Sequence, residues 1–330
     1  MVSNRIGVSF SLRQASDTAM VFEMADIAEA LGYDSIWIPE AWGRDAFTLL
    51  AALAVRTTSI RLATGIVNVF SRTPAIVAQS IASLDDISGG RAILGLGASG
   101  SRVIERWHGV KFENVLRRTR EFVEVVRLIV RGEPVNYPGE VYQLRDFSLA
   151  FKPPRKEIPI FLAAIGPANV RLTGELADGW LPIFASRSLL DSGAEWLAQG
   201  AERAGRSSDD ITVASYIPAL IGPEGPPLIR RHIAFYVGAM GSYYHRLMVR
   251  GGWETQADEI RRLYLVGQSD AAAAVIDDEM LAAVAITGDR EQAVDRLQIF
   301  RELGVSLPVL ALPQGASPDA IRATLKALGG

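Results

Sequence analysis

The stretch R-L-A-T-G-I-V-N-V-F-S-R-T-P, Arg61–Pro74, decides how the rest of the sequence reads. It opens as a strand, with Leu62, Ala63, Ile66 and Val67 apolar and too few polar residues to alternate. A strand apolar on both faces belongs in a parallel sheet covered by helices. Thr64-Gly65 interrupts the run, and the polar loop Asn68–Thr73 ends it. A glycine inside a strand is either tolerated there or marks a bulge, where another backbone or a flat ligand comes close. The stretch alone leaves both alternatives open.

Working outward, the same beat recurs. Ile6–Phe10 and Ser35–Pro39 read as strands upstream, followed by helices over Ala19–Leu31 and Ala46–Val55. Downstream come a helix over Pro74–Leu84, opened by its proline, and a strand over Ala92–Leu96. Four strand–helix units in close succession predict right-handed crossovers and a parallel sheet. The alternation resumes after the amphipathic helix Asn114–Val130. Strands are predicted over Ile158–Ala164, Gly179–Ile183, Asp210–Ile221 and Pro308–Leu312. Helices are predicted over Ala168–Leu176, Leu189–Ala204 and Pro318–Leu328. Eight units predict an α/β fold of the TIM-barrel type, (β/α)8, as one domain over residues 1–330.

Two segments exceed what such a barrel needs. Residues 132–154, rich in glycine, proline and aromatics, read as a surface hairpin. Residues 222–306 read as a helical insertion between strands seven and eight, with helices over Leu228–Met248, Ala257–Leu265, Glu279–Val284 and Arg290–Leu303. Such an insertion either walls the active-site mouth or serves as a capping or dimerisation element.

Composition narrows the function. Of 330 residues, 49% are hydrophobic, ample for a large core, and the formal net charge is -3. That balance gives no general electrostatic attraction to nucleic acid or an anionic membrane. Cysteine is absent, which excludes disulfides and thiolate chemistry. The three histidines, His108, His232 and His245, lack metal-ligand spacing, so no metal is expected. No stretch reads as a signal peptide or a membrane span, and the expectation is a cytoplasmic enzyme of small molecules.

In a barrel the chemistry follows the strands. Glu40 and Trp42 follow strand two; Glu40 either pairs with Arg44 or another cation, or shuttles a proton. The run G-L-G-A-S-G, Gly95–Gly100, misses the dinucleotide fingerprint because its third glycine falls early and no clean helix follows. It does allow a planar group to approach the backbone. Ala163–Gly166 leads from a strand through Gly166-Pro167 into a helix, whose first N–H groups suit a phosphate. His108, in R-W-H-G, is either structural or a proton donor.

The runs S-I-W-I-P-E-A-W-G-R-D, A-T-G-I-V-N-V-F-S-R-T-P, S-G-G-R-A-I-L-G-L-G-A-S-G, L-A-A-I-G-P and E-L-A-D-G-W resemble the bacterial luciferase-like superfamily. Within it they resemble the deazaflavin-dependent reductases, among them methylenetetrahydromethanopterin reductase. The resemblance implies coenzyme F420 as cofactor, with FMN the alternative, and hydride transfer to or from a small organic substrate in a homodimer or homotetramer. It implies a non-proline cis peptide at Gly65-Ile66 behind the ring. Thr64, Gly65, Ile66, Asn68, Gly97, Ala98 and Ser99 would lie about the ring, and Ala163, Ala164, Ile165 and Gly166 about the phosphate. Glu40, Trp42 and His108 become the catalytic candidates. The chain departs from the pterin reductases in strand one, where their acidic residue is matched only by Ser9.

Overall fold

The computed structural model describes residues 4–10 and 18–329. Along the chain run β1 (Gly7–Ser9), α1 (Thr18–Ala30), β2 (Ser35–Ile38), α2 (Ala46–Arg56), β3 (Arg61–Thr64), β4 (Val67–Asn68) and α3 (Pro74–Ile87). Then come β5 (Ala92–Gly97), α4 (Ser101–Arg106), α5 (Val115–Val130), β6 (Val135–Pro138), β7 (Gln143–Phe147), β8 (Ile160–Ala163), α6 (Pro167–Leu176), β9 (Gly179–Trp180) and α7 (Arg187–Arg203). The last third holds β10 (Thr212–Val213), β11 (Tyr216–Pro218), α8 (Gly225–Ala239), α9 (Ser242–Arg250), α10 (Glu254–Leu265), α11 (Ser269–Ala274), α12 (Asp278–Val284), α13 (Arg290–Glu302), β12 (Val309–Ala311) and α14 (Pro318–Leu328). This is an α/β fold whose strands, apart from the β6–β7 hairpin, pair in parallel.

The chain groups into two compact units. One comprises Ser35–Leu181 and Trp196–Ile211 and contains β2, β3, β4, β5, β8 and β9. Register is fixed by Ile38↔Thr64, Leu62↔Ala92, Leu94↔Ile160 and Phe161↔Gly179. β2 and β5 are buried at every position, as strands covered on both faces must be. Trp37, fully buried, meets Phe161 edge-on with ring centroids 5.4 Å apart. The Thr64 hydroxyl joins β3 to β5, donating to the Gly95 carbonyl and accepting from its N–H, both at 2.8 Å. The strands approach so closely that a Cβ at Gly95 would sit 2.0 Å from the Thr64 carbonyl oxygen. Only glycine fits there.

Local signals start the helices. Asp45 caps α2 by accepting from the Thr48 N–H at 2.7 Å, and Thr73 caps α3 ahead of Pro74. α5 buries Phe122, Val125, Val126 and Ile129 along one stripe. From α5 the buried Glu121 carboxylate accepts from the N–H groups of Glu140, Val141 and Tyr142 at 2.8–3.0 Å. That contact ties the turn of the antiparallel β6–β7 hairpin to the helix.

The other unit comprises the chain up to Asp34, Pro182–Glu195, and Thr212 onward. β1 and β11 flank β12, with Gly7↔Val309 and Tyr216↔Val309 in register. Ser9 lies buried in β1 and hydrogen-bonds Tyr216. Phe184 gathers His232, Tyr236 and Tyr244 around it in edge-on contacts.

Three local expectations need correction. A short helix, α4, does follow the Gly95–Gly100 run; Gly100 enters it in extended backbone, and burial of Val103 and Ile104 anchors the turn. The strand expected over Asp210–Ile221 is two strands. Val213 bonds the Ser306–Leu307 backbone and hydroxyl, whereas Tyr216–Pro218 pair with β12. The helix expected over Leu228–Met248 breaks at Gly241, whose φ of 90° suits glycine and not a helix interior. Among the described residues no helix is long and apolar enough to cross a membrane.

Candidate active site

The candidate site lies within the Ser35–Leu181 unit, at the C-terminal ends of its parallel strands. Asn68 is in register with Gly97, and Gly97 with Ala163, so β4, β5 and β8 present one row of small or polar residues. This is the edge where α/β enzymes place their chemistry.

The row is closely packed beneath. The Gly65–Ile66 peptide is cis. The Gly65 N–H donates to the Ile38 carbonyl at 2.7 Å, and the Ile66 carbonyl accepts from the Glu40 N–H at 3.2 Å. A Cβ at Gly97 would come 3.1 Å from both Ala163 Cβ and Ile66 Cδ1. Ser99 adopts a φ of 59°, and a Cβ at Gly166 would meet nothing within 4 Å. Thr64, Gly65, Ile66, Asn68, Gly97, Ala98, Ser99 and Ala163–Gly166 therefore share one strand edge. Ala164 also fixes the wall behind it, its carbonyl accepting from Trp180 Nε1 at 2.8 Å.

Glu40 is clamped. Arg72 Nε donates to Oε1 at 3.0 Å and Nη2 to Oε2 at 2.9 Å, the fork geometry that makes guanidinium–carboxylate pairs strong. Oε2 also accepts from the Ala46 N–H at 3.0 Å. Arg72 Nη2 reaches Asp45 as well, and its guanidinium lies 5.4 Å from the centre of the Phe47 ring. The hydrogen bonds to Glu40 hold the Arg72 guanidinium more firmly protonated. The cation expected for Glu40 is thus Arg72, 32 residues along the chain, which residue typing alone did not single out. Its signal was available: Arg72 belongs to the polar loop that ends β4.

Asn68 orients His108. Its Oδ1 accepts from the Phe70 and Ser71 N–H groups at 3.0 and 2.7 Å, so its Nδ2 faces His108 Nε2, 3.4 Å away, as donor. His108 Nε2 must then accept, which requires a neutral imidazole protonated at Nδ1. Burial pulls the His108 pKa below the usual imidazole value, and the Glu40 charge pushes part of the way back. Trp42 lies on the bend after β2, 38% exposed. Sequence reasoning also missed the braces of the Asn68–Thr73 loop. Phe112 stacks on Phe70 at 5.1 Å, Arg118 covers Phe70 at 4.8 Å, and the Tyr142 hydroxyl donates to the Val69 carbonyl at 3.2 Å.

The Ser71 hydroxyl is buried without a hydrogen-bond partner beside this arrangement. Among the described residues no cluster of three His, Asp or Glu side chains could hold a metal ion. The edge combines a tight floor, an open glycine at a helix start, a clamped carboxylate and a neutral imidazole. Such a set can seat a planar cofactor and handle a proton beside it.

The profile of the luciferase-like monooxygenase family matches residues 4–307. A protein of Mycobacterium tuberculosis named as a coenzyme F420-dependent oxidoreductase is 36% identical over 87% of this chain and 89% of its own. The 5,10-methylenetetrahydromethanopterin reductase of Archaeoglobus fulgidus is 31% identical over 89% of each chain. The solved structure of the coenzyme F420-dependent tetrahydromethanopterin reductase from Methanopyrus kandleri superposes with a TM-score of 0.85, 26% identity and 98% coverage of both chains.

Proposed function

The chain belongs to the luciferase-like monooxygenase family, and from that premise we propose that it is a coenzyme F420-dependent oxidoreductase of a small organic substrate. The observation that carries the reading is the aligned row Asn68–Gly97–Ala163, with Glu40 and His108 brought to its end. The residues fit a planar ring. A Cβ at Gly97 would crowd Ala163 and Ile66 at 3.1 Å, so a bare glycine keeps the floor flat, and Gly166 leaves space at the start of α6.

Coenzyme F420 supplies hydride transfer at the deazaflavin C5 when bound. The chain's own residues do the rest. Thr64–Ile66, Asn68 and Gly97–Ser99 would hold the ring, and the N–H groups of Ala164–Gly166, at a helix start, would hold a phosphate. Glu40 carries one oxygen, Oε1, bonded only to Arg72 Nε, leaving a lone pair for a proton. His108, neutral and protonated at Nδ1, can donate from that atom. Trp42, two residues after Glu40, offers a partly exposed apolar ring.

The regular strand–helix succession, together with the superposition over 98% of the chain, supports a (β/α)8 barrel. The resemblance supports a homodimer or homotetramer. Titration of the purified protein with coenzyme F420 and with FMN, followed by absorbance and fluorescence, tests the assignment. Tight binding of F420 and turnover of its reduced form are expected. Binding of FMN with indifference to F420 would overturn it in favour of a flavin monooxygenase.

A further inference from the structure

One loop carries both contacts that shape the candidate site. Residues 68–73 supply Asn68, which meets His108, and Arg72, which holds Glu40. Val69, buried between them, is bonded on both sides of its backbone. Its N–H donates to the Gly97 carbonyl at 3.0 Å, and its carbonyl accepts from the Tyr142 hydroxyl at 3.2 Å. Tyr142 lies 73 residues away, where the turn of the hairpin enters β7.

That hydroxyl is arranged as a donor. Arg118 Nη1, from α5, donates to its oxygen at 3.0 Å, which leaves its one proton for Val69. Burial raises the Tyr142 pKa, with Arg118 opposing and the Glu121 charge adding to the rise, so the phenol keeps its proton. The rest of the residue is fixed as well. Its ring meets Phe122 edge-on at 6.0 Å, its backbone N–H donates to Glu121 at 2.9 Å, and Arg118 lies over both the Tyr142 and Phe70 rings.

The bonded atom is what gives this contact its reach. The Val69 carbonyl and the Phe70 N–H belong to one planar peptide unit. The Phe70 N–H in turn donates to Asn68 Oδ1 at 3.0 Å, and that bond turns Asn68 Nδ2 towards His108 Nε2. We propose that Tyr142, held by Arg118, is a positioning residue for the reaction: by fixing the Val69–Phe70 peptide it holds the Asn68 amide against His108. The inference rests on the proton-handling role given to His108 above. The surface hairpin thereby belongs to the apparatus of the site, and packing of the hairpin on α5 alone would not require this bond.

Tyr142→Phe removes the hydroxyl and keeps the ring. With the peptide held less firmly, Asn68 donates less well to Nε2, and the lone pair there takes up a proton more readily; the charge acting on His108, that of Glu40, stays in place. The proton affinity of His108, read from its ring resonances, is expected to rise about two- to fivefold, and turnover with F420 to fall about three- to tenfold. Tyr137→Phe takes the other hydroxyl from the same hairpin, one bonded to Glu124, and should leave both quantities unchanged. Circular dichroism checks that each variant folds. Where Tyr142→Phe does not, Arg118→Gln, which leaves the hydroxyl without its supporting donor, is read in its stead and should move both quantities in the same directions. An unmoved or lowered His108 affinity, an equal rise in Tyr137→Phe, or a rise with unchanged turnover overturns the inference. The titration needs no cofactor, so these outcomes leave the F420 assignment standing. A parent that neither binds nor turns over F420 overturns that assignment and the catalytic consequence, whatever the titration shows.

Discussion

Arg72 holds Glu40 by two parallel hydrogen bonds of 3.0 and 2.9 Å, across 32 residues of sequence, with the Glu40 side chain only 12% exposed. A carboxylate so covered depends on its partner, because removing one member leaves an uncompensated charge out of water. Arg72→Ala is expected to cost about 1–3 kcal/mol, less than a fully buried pair because Arg72 keeps some exposure. Arg72→Lys should recover only part, since an ammonium lacks the planar fork that meets both carboxylate oxygens in parallel. Urea unfolding monitored by circular dichroism measures both; a loss below about 0.5 kcal/mol for Arg72→Ala would show the clamp to be immaterial.

Glu40→Gln keeps the shape of the side chain and removes its charge. Turnover is expected to fall by about 10²-fold or more, the usual range for losing a proton-handling group. Cofactor affinity should change by less than about threefold, because the ring contacts proposed above lie on other strands. Single-turnover absorbance and equilibrium titration separate the two quantities. Unchanged turnover would remove Glu40 from the chemistry.

Burial lowers the His108 pKa, with the Glu40 charge opposing. Its imidazole should therefore titrate below the ordinary value of about 6.5, and Glu40→Gln should lower it further. Asn68→Asp, placing a carboxylate where the Nδ2 donor stood, should raise it. The stability consequence has a definite sign. With the folded value depressed, the unfolded chain takes up the proton first as pH falls, so this contribution is complete above the unfolded value and is lost as pH drops through the folded one. Histidine ring resonances in a pH titration, assigned by the difference from His108→Gln, give the values directly.

Two glycines of β5 should respond differently to alanine. At Gly95 the new methyl would strike the Thr64 backbone at 2.0 Å, so β3 and β5 must separate and the loss should exceed about 2 kcal/mol. At Gly97 the neighbours are side-chain atoms at 3.1 Å, which can yield by small shifts. Gly97→Ala should fold with a small change in Tm while weakening F420 binding, because the methyl rises from the floor of the proposed ring site. Calorimetry and cofactor titration on the two variants check this ordering.

Much of the architecture was legible in advance. Apolar runs at Ser35–Ile38 and Arg61–Thr64, each followed by a helix with a side-chain cap, specify strand and helix by local periodicity. The breaks were less legible. Gly241 divides a continuous apolar helical pattern through its backbone angle, and the strand expected over 210–221 is interrupted at Ala214–Ser215 while Val213 and Ser215 still bond Leu307 and Val309. Pairing partners are a non-local property, and hydropathy along one segment carries no record of them.

The sequence by itself determined that parallel strands alternate with helices, and that the polar residues after strands two to five are the ones available for chemistry. It supplied Glu40, Gly97, His108 and Gly166 as candidates because their types and local settings are readable one at a time, and Asn68 through the family resemblance. Only the tertiary structure decided how they combine. Strand register aligned Asn68 with Gly97 and Ala163, the Asn68 amide chose the tautomer of His108, and the fold carried Arg72, not Arg44, to Glu40. The physical reason is that hydrogen bonds and ion pairs act over about 3 Å in space whatever the separation along the chain.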